Sequence, residues 1–490
     1  MLPDESRLLT GARDLVREMS GAGPATFQGK LDVLDTLLSE LQLRADTAFY
    51  VRHFSEGLRL AETGAAYAGL PTMAGTLPPA LDPALATETM WQHIESLRRC
   101  LEEIVRVLGP RERAARDSIS PYLQQVVDWE NRFYARHHAS PSAAVEAPDP
   151  YTSENLQRYF RGKFPEWTNL EVTGIRVLVG GFSKRTVMVD LRDDVHGTRS
   201  IVMRVELPSQ FRFWEGDQID NEFPILQLML EKGMPIAKPL WLETDKRHIG
   251  FRFLVSEKGV GENVGNHLGL RGGASQELVD DVIQWLVRLH DTRVDPNDPC
   301  VQHTYLDRWA HHKTLTESVA ARIEYWIEHL RQRQVRPSPL TIRIIEWLRD
   351  NVPVCDERPV PVHGDFGLHN MLVTGDRVTC ILDWEYLVFG DPAEDLVPFF
   401  FHMAAMMSRE EILARYEKLG GRRIDEYRLR YFDVVYRLKY VLTCENALRM
   451  FAQHTEADPG LCQLGFKYAY AGLASVNEKI AQAEAAKSSR

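Results

Sequence analysis

The sequence predicts an α+β chain in which an all-α helical bundle domain precedes an antiparallel sheet lobe and then a helical lobe. Three observations predict it. Apolar residues recur at helical spacing before residue 138, a Pro-, Ala- and Ser-rich stretch without apolar period follows, and the period then drops to two before helical spacing returns. The expected division is 1–138 as a helical domain, 139–150 as a linker, 151–258 as the sheet lobe and 259–490 as the helical lobe.

In the first domain Leu8, Leu9, Ala12, Leu15, Val16 and Met19 share one helical face, and Leu31, Leu34, Leu37, Leu38 and Leu41 repeat the spacing. The Pro-rich break at 69–83 separates these from later helices. Ser120 and Pro121 read as an N-cap and first-turn pair opening a helix that presents Leu123, Val126, Val127 and Phe133. His53, His93, His137 and His138 are isolated and read as surface or satisfied core residues. No chemistry stands out, so the domain's expected use is contact: a homodimer seam, a docking surface for a partner enzyme, or a lid.

Beyond the linker, 172–179, 186–191 and 200–205 read as strands, with turns at Gly180-Gly181 and around 193–197. Further strands are expected at 239–242 and 250–255, leading into the segment 256–259. A helix carrying Glu222, Phe223, Leu226 and Leu230 ends at Gly233, with Pro224 in its first turn. Later helices are expected at 276–289, 304–333, 340–351 and beyond Glu394.

The chemistry concentrates at 363–370, H-G-D-F-G-L-H-N, and in the I-L-D-W-E that follows a hairpin turned at Gly375-Asp376. Phosphoryl transfer needs a carboxylate to orient the attacking hydroxyl and oxygen ligands to hold Mg²⁺ against the nucleotide phosphates. Asp365, Asn370 and Asp383 supply those groups at a spacing a tight loop and a hairpin can bring together. A different use of the same loop is a metal-dependent hydrolase with His363, Asp365 and His369 as ligands.

These motifs resemble the H-x-D-x-x-x-x-N and I-D-W/F-E signature of the aminoglycoside phosphotransferase and choline kinase superfamily, and the resemblance runs from about Tyr151 to the C-terminus. It implies a bilobal protein-kinase-like fold with ATP and Mg²⁺ in the cleft. Asp365 then takes the place of the catalytic base, His363 that of the loop-bracing histidine, and Asn370 and Asp383 those of the metal ligands. Gly180, Gly181 and Ser183 would cover the phosphates, with Lys184 as an added cation. Arg204 stands where the family usually has the phosphate-binding lysine, a substitution that changes reach and geometry. Glu222, with Glu215 as its rival, would pair with Arg204, and the segment at Glu257 would hold the adenine. Asp391 and Asp395 either brace the loop from behind or cap the next helix.

Members associated with acyl-CoA dehydrogenases are similar in carrying Arg at the Arg204 position. The acceptor this implies is a hydroxylated small molecule, with a hydroxy acid or hydroxyacyl thioester ahead of an aminoglycoside or choline-like amino alcohol. A nucleotide-binding pseudokinase scaffold is the other reading of Arg204. A formal net charge of −11 argues against a nucleic-acid face. Six scattered cysteines without a C-x-x-C pair argue for reduced thiols. The opening residues form no secretory signal, and the longest apolar stretch, 396–407, is too short for a bilayer; a cytoplasmic protein without membrane contact is expected.

Overall fold

The structure is a computed structural model describing residues 47–70, 87–108, 116–134, 151–178, 184–206, 219–266, 274–333, 338–404, 406–453 and 476–489, with isolated residues between them. The leucine repeats at 8–19 and 31–41, the linker, and the turn containing Gly180, Gly181 and Ser183 lie outside the described residues. In chain order the principal elements are α1 (Thr47–Ala68), α2 (Thr87–Leu108), α3 (Arg116–Tyr134), α4 (Ser153–Lys163), β1 (Glu171–Leu178), β2 (Lys184–Asp193) and β3 (Gly197–Glu206). Next come α5 (Ile219–Glu231), β4 (Pro239–Glu243), β5 (Phe253–Glu257), β6 (Glu262–Asn263), α6 (Gln276–Asp291), α7 (Leu315–Arg333) and α8 (Pro339–Asp350). The remainder are β7 (Val360–Val362), β8 (Met371–Thr374), β9 (Arg377–Ile381), β10 (Val388–Gly390), α9 (Ala393–Met403), α10 (Arg409–Lys418), α11 (Glu426–Gln453) and α12 (Val476–Ser488).

The chain forms two units. One gathers Met1–Val145, Ala320–Pro353 and Glu426–Arg490; the other gathers Glu146–Val319 and Val354–Asp425. This differs from the sequence division, which kept 1–138 apart from 259–490. The joining contacts explain the difference. The first amide groups of a helix have no partner within it, and those of α8 are met by Glu102 of α2, which accepts from Ser338 N at 2.6 Å, and Glu130 of α3, which accepts from Leu340 N at 2.7 Å. Glu130 is fully buried. Helical periodicity identifies an apolar face and carries no information about which distant helix will cover it.

Within the same unit Trp129 donates its indole N–H to His53 O at 2.8 Å and stacks on the His53 ring at 4.2 Å. Gly57 allows this approach, since a β-carbon there would stand 2.6 Å from Trp129. Pro121 sits inside α3 rather than opening it. Buried Ile119 extends the stripe of Leu123, Val126 and Val127 by one turn, and that packing outweighs the backbone bond Pro121 removes.

The second unit holds an antiparallel sheet in the order β1-β2-β3-β5-β4. One face packs Val187, Val189, Ile201, Met203 and Val255 against Leu156, Tyr159 and Phe160 of α4. This helix was not anticipated, although Thr152 caps it and its apolar residues fall at helical spacing. β5 runs three residues later than expected at its start, because Gly250 takes a positive φ of 87° in the preceding turn. Pro224 lies in the second turn of α5, which starts at Ile219. Below the sheet, β7 pairs with β10, and β8 pairs with β9 and β6. The loop 363–370 therefore leaves β7 and enters β8, and Asp383 follows β9, so two short pairings fix both ends of the chemistry-bearing segment. Among the described residues no helix is long and apolar enough to cross a membrane.

Burial, with the nearby charge of Glu130, pushes the Glu102 carboxyl up to about 7 from its ordinary 4.5, against the hydrogen bond from Ser338. Between those values the folded chain holds a proton that the unfolded chain has lost. Stability is therefore full below pH 4.5 and falls as pH rises towards 7, by at most about 1.4 kcal/mol per pH unit. Glu102→Gln should flatten that slope in denaturant unfolding at pH 5 and 7; equal slopes in the two proteins would contradict the assignment.

Candidate active site

The loop that begins at His363 is held by its backbone. Asp395, fully buried in α9, accepts from His363 N at 2.8 Å and Gly364 N at 2.7 Å. Its Oδ2 also meets His290 Nε2 at 3.1 Å, and His290 Nδ1 lies 2.8 Å from the Tyr416 hydroxyl. Burial opposes the charge on Asp395, but the His290 hydrogen bond and the other partners outweigh it and hold the carboxyl below its usual range. Gly364 has a φ of 82°, and a β-carbon there would stand 2.8 Å from Tyr386. The two roles considered for Asp391 and Asp395 divide between them. Asp391 caps α9, accepting from Ala393 N at 2.9 Å, and Asp395 braces the loop.

His363 turns inward. Its Nε2 donates to Leu382 O at 2.8 Å, which leaves Nδ1 to accept from Asp365 N at 3.3 Å. Both ring nitrogens are engaged, so the trio His363, Asp365 and His369 considered for a hydrolase is not formed. Asp365 is half-buried, and its Oδ2 takes both Asn370 Nδ2, at 2.9 Å, and His369 Nε2, at 3.2 Å. Among the described residues no hydrogen bond falls on its Oδ1. Burial disfavours the Asp365 charge, but the His369 hydrogen bond and the charge of that imidazole prevail, holding the carboxyl below the usual range. In return, His369 is raised despite its own burial, chiefly by that bond.

Asp383 adopts the left-handed conformation, φ 60°, which Asp tolerates better than most residues. Its Oδ1 meets Arg204 Nη2 at 2.7 Å, and Arg204 Nε lies 2.9 Å from Glu222 Oε1. Glu222 is thus the carboxylate facing Arg204; its rival Glu215 lies outside the described residues. Lys184, expected beside the phosphates, is instead buried between Glu222 Oε2 at 3.0 Å and Glu385 Oε2 at 2.5 Å. The Glu385 backbone is fixed in turn, its carbonyl accepting from Trp214 Nε1 and Tyr305 Oη. Burial raises Asp383, and the charges of Arg204 and Lys184 more than reverse it.

Oxygen donors for a hard cation follow from this network. Asn370 spends its amide N–H groups on Asp365 O and Oδ2, which turns Oδ1 the other way, and Asp383 keeps Oδ2 clear of protein hydrogen bonds among the described residues. A carboxylate and an amide oxygen fit Mg²⁺. Glu257 closes β5 with an exposed side chain, and its N–H is taken by Lys238 O at 2.9 Å. A nucleotide base there would have to meet its carbonyl or the following residues. Sequence reasoning gave no role to Glu385 or His402. Glu385 lies inside the quoted I-L-D-W-E motif, and His402 lies in the apolar stretch 396–407, where a lone histidine is the available signal.

The sheet and helices around this loop define a kinase-like phosphotransferase fold. Residues 174–432 match the model of the phosphotransferase enzyme family, more than half of the chain, and the chain belongs to that family. Among curated proteins it is similar to acyl-CoA dehydrogenase family member 11 of Mus musculus, 28% identical over 205 residues, 41% of this chain and 25% of the relative. It is also similar to family member 10 of Mus musculus, 28% identical over 220 residues, 44% of this chain and 19% of that protein. The matched stretch thus spans a quarter or less of these relatives. Among solved structures, a thermostable mutant of aminoglycoside phosphotransferase APH(4)-Ia in ternary complex with AMP-PNP and hygromycin B is 16% identical, with a TM-score of 0.46, covering 67% of this chain and 98% of that one.

Asp395→Asn should cost about 3–5 kcal/mol of stability, because it leaves His290 and two backbone N–H groups without their carboxylate. Denaturant unfolding checks this, and a loss below about 1 kcal/mol would remove Asp395 from the role of brace.

Proposed function

We propose that the chain is an ATP-dependent kinase that transfers the γ-phosphoryl group to a hydroxyl of a small molecule, with Asp365 and His363 in the catalytic loop. The observation that carries this reading is the direction of the oxygen atoms: among the described residues Asp365 Oδ1, Asn370 Oδ1 and Asp383 Oδ2 take no hydrogen bond, while their partner atoms are occupied. Asn370 and Asp383 would hold Mg²⁺, which when bound offsets the negative charge on the transferring group. Arg204, anchored by Glu222, is the cation for the phosphates, and Glu257 and the residues after it are the site for the base. Gly180, Gly181 and Ser183 belong to the turn assigned to the phosphates.

Asp365 accepts the acceptor hydroxyl through Oδ1. Because the transition state of phosphoryl transfer is loose, the work of Asp365 is orientation, with the proton moving late. His363 acts from behind, keeping the Asp365 backbone in place through Nδ1. Family membership supports a small-molecule acceptor. Similarity to the two acyl-CoA dehydrogenase family members supports a hydroxy acid or hydroxyacyl thioester rather than an amino alcohol or aminoglycoside.

Calorimetry with Mg-nucleotide on wild type and Asp383→Ala, followed by ADP release against hydroxy acids, hydroxyacyl-CoAs, amino alcohols and aminoglycosides, tests the reading. Binding should be lost in Asp383→Ala, and one acceptor class should stimulate release. Binding without turnover on any acceptor would favour a nucleotide-binding scaffold, and absence of binding would sink both. Asp365→Asn should lower turnover about 100- to 10,000-fold while nucleotide affinity is retained; full turnover in that variant would remove Asp365 from its assigned role.

A further inference from the structure

We propose that Asp365, His369 and His402 form a binding site for a borderline divalent metal of the Zn²⁺ class, separate from the oxygen pair of Asn370 and Asp383. The three side chains offer one carboxylate oxygen and two imidazole nitrogens, all within 4.8 Å of one another. His369 Nε2 and Asp365 Oδ2 are 3.2 Å apart, close to the spacing of two ligands each about 2.0–2.1 Å from one tetrahedral ion. His402 reaches the pair from α9, its ring 4.5 Å from that of His369 at an interplanar angle of 44°. Two elements therefore supply the ligands, and the brace at Asp395, seven residues before His402 on α9, ties them together.

The local backbone makes room for both rings. A β-carbon at Gly367 would stand 2.8 Å from His369 and 3.0 Å from His402, so glycine is what lets two imidazoles converge beside Asp365. The donor set decides which ion this cradle prefers. Imidazole nitrogen suits Zn²⁺, Cu²⁺ and Ni²⁺, whereas Mg²⁺ keeps to oxygen ligands and near-octahedral geometry. Three protein ligands leave a fourth position open for water. An ion held there takes Asp365 Oδ2 and draws charge from the carboxylate, so Oδ1 becomes a poorer acceptor for the substrate hydroxyl and transfer slows. This consequence rests on the proposed kinase function, whereas the binding itself does not.

The test is a Zn²⁺ titration of the full chain against a chromogenic chelator, without nucleotide or Mg²⁺, in wild type, Asp383→Ala, His402→Phe and His402→Cys. His402→Phe keeps a ring beside His369 but has no donor, His402→Cys restores one, and circular dichroism confirms that each variant is folded. One Zn²⁺ per chain is expected in wild type and in Asp383→Ala. His402→Phe should weaken it by more than the roughly 10- to 100-fold typical of losing an outer partner, and His402→Cys should recover it. Wild-type affinity in His402→Phe, or no stoichiometric binding in wild type, would overturn the site. With excess Mg-nucleotide, Zn²⁺ should inhibit wild-type turnover at lower concentration than it inhibits His402→Phe. Binding that depends on His402 but leaves turnover untouched would overturn the inhibitory consequence alone, and absence of turnover in Zn²⁺-free wild type with Mg-nucleotide and every acceptor class would point to failure of the kinase reading instead.

Discussion

The second unit depends on one buried group of charges. Lys184 and Arg204 face Glu222, Glu385 and Asp383, which leaves one unit of negative charge in a space from which water is largely excluded. Removing each ion from water costs several kcal/mol, and the cost is offset only while every member keeps its partners. The group therefore constrains four pieces of chain at once: β2 through Lys184, β3 through Arg204, α5 through Glu222, and the turn after β9 through Asp383 and Glu385. It also divides into two halves. Lys184 has a side-chain exposure of 1%, against 17% for Arg204 and 40% for Asp383. The inner half, Lys184 with Glu222 and Glu385, is closed off from solvent, whereas the outer half, Arg204 with Asp383, borders it, and under the proposed function it is the half that would meet the phosphates and Mg²⁺.

The loop at 363–370 is fixed by a different device. Its donors are backbone N–H groups, and the acceptor, Asp395, lies on a helix that follows in sequence. Residues with positive φ at either side, Gly364 and Asp383, bring the chain back on itself. Such conformations cost about 1–3 kcal/mol for a non-glycine residue and persist only where surrounding contacts over-determine them. At Asp383 those contacts are the ion group on one side and the 3₁₀ turn of Trp384–Tyr386 on the other.

What the sequence revealed follows the range of each interaction. That Asp365 and Asn370 would meet in one loop was legible because their spacing is local, and the strands were legible because alternation is a property of a few consecutive residues. Glu222 could be selected as the partner of Arg204 from its place on a helix. Lys184 was misplaced beside the phosphates because its position on β2 is evident from sequence while its partners, 38 and 201 residues away, are not. The union of α2 and α3 with α8 was hidden for the same reason: an acidic residue on a helix face looks solvated until a distant helix end is brought to it. His402 had a signal, a lone histidine in an apolar helix, but no local partner to give it meaning.

The arrangement around Asp365 sets two demands against each other. Phosphoryl transfer through a loose transition state asks for a group that aligns the hydroxyl and takes its proton late, and this favours a carboxylate of low basicity. Under the proposed function the bond from His369 serves that need, but it does so beside a second imidazole, His402, within reach of the same carboxylate. Asn370 shares Oδ2 with His369, so that one oxygen is used for positioning and the other, among the described residues, carries no hydrogen bond and under the proposed function would face the acceptor. The histidine that lowers the carboxyl, His369, is thus also one of the two imidazoles of the proposed metal site. A relative that replaced His369 with a residue lacking a nitrogen donor would lose that site together with the hydrogen bond that holds Asp365 Oδ2 in place.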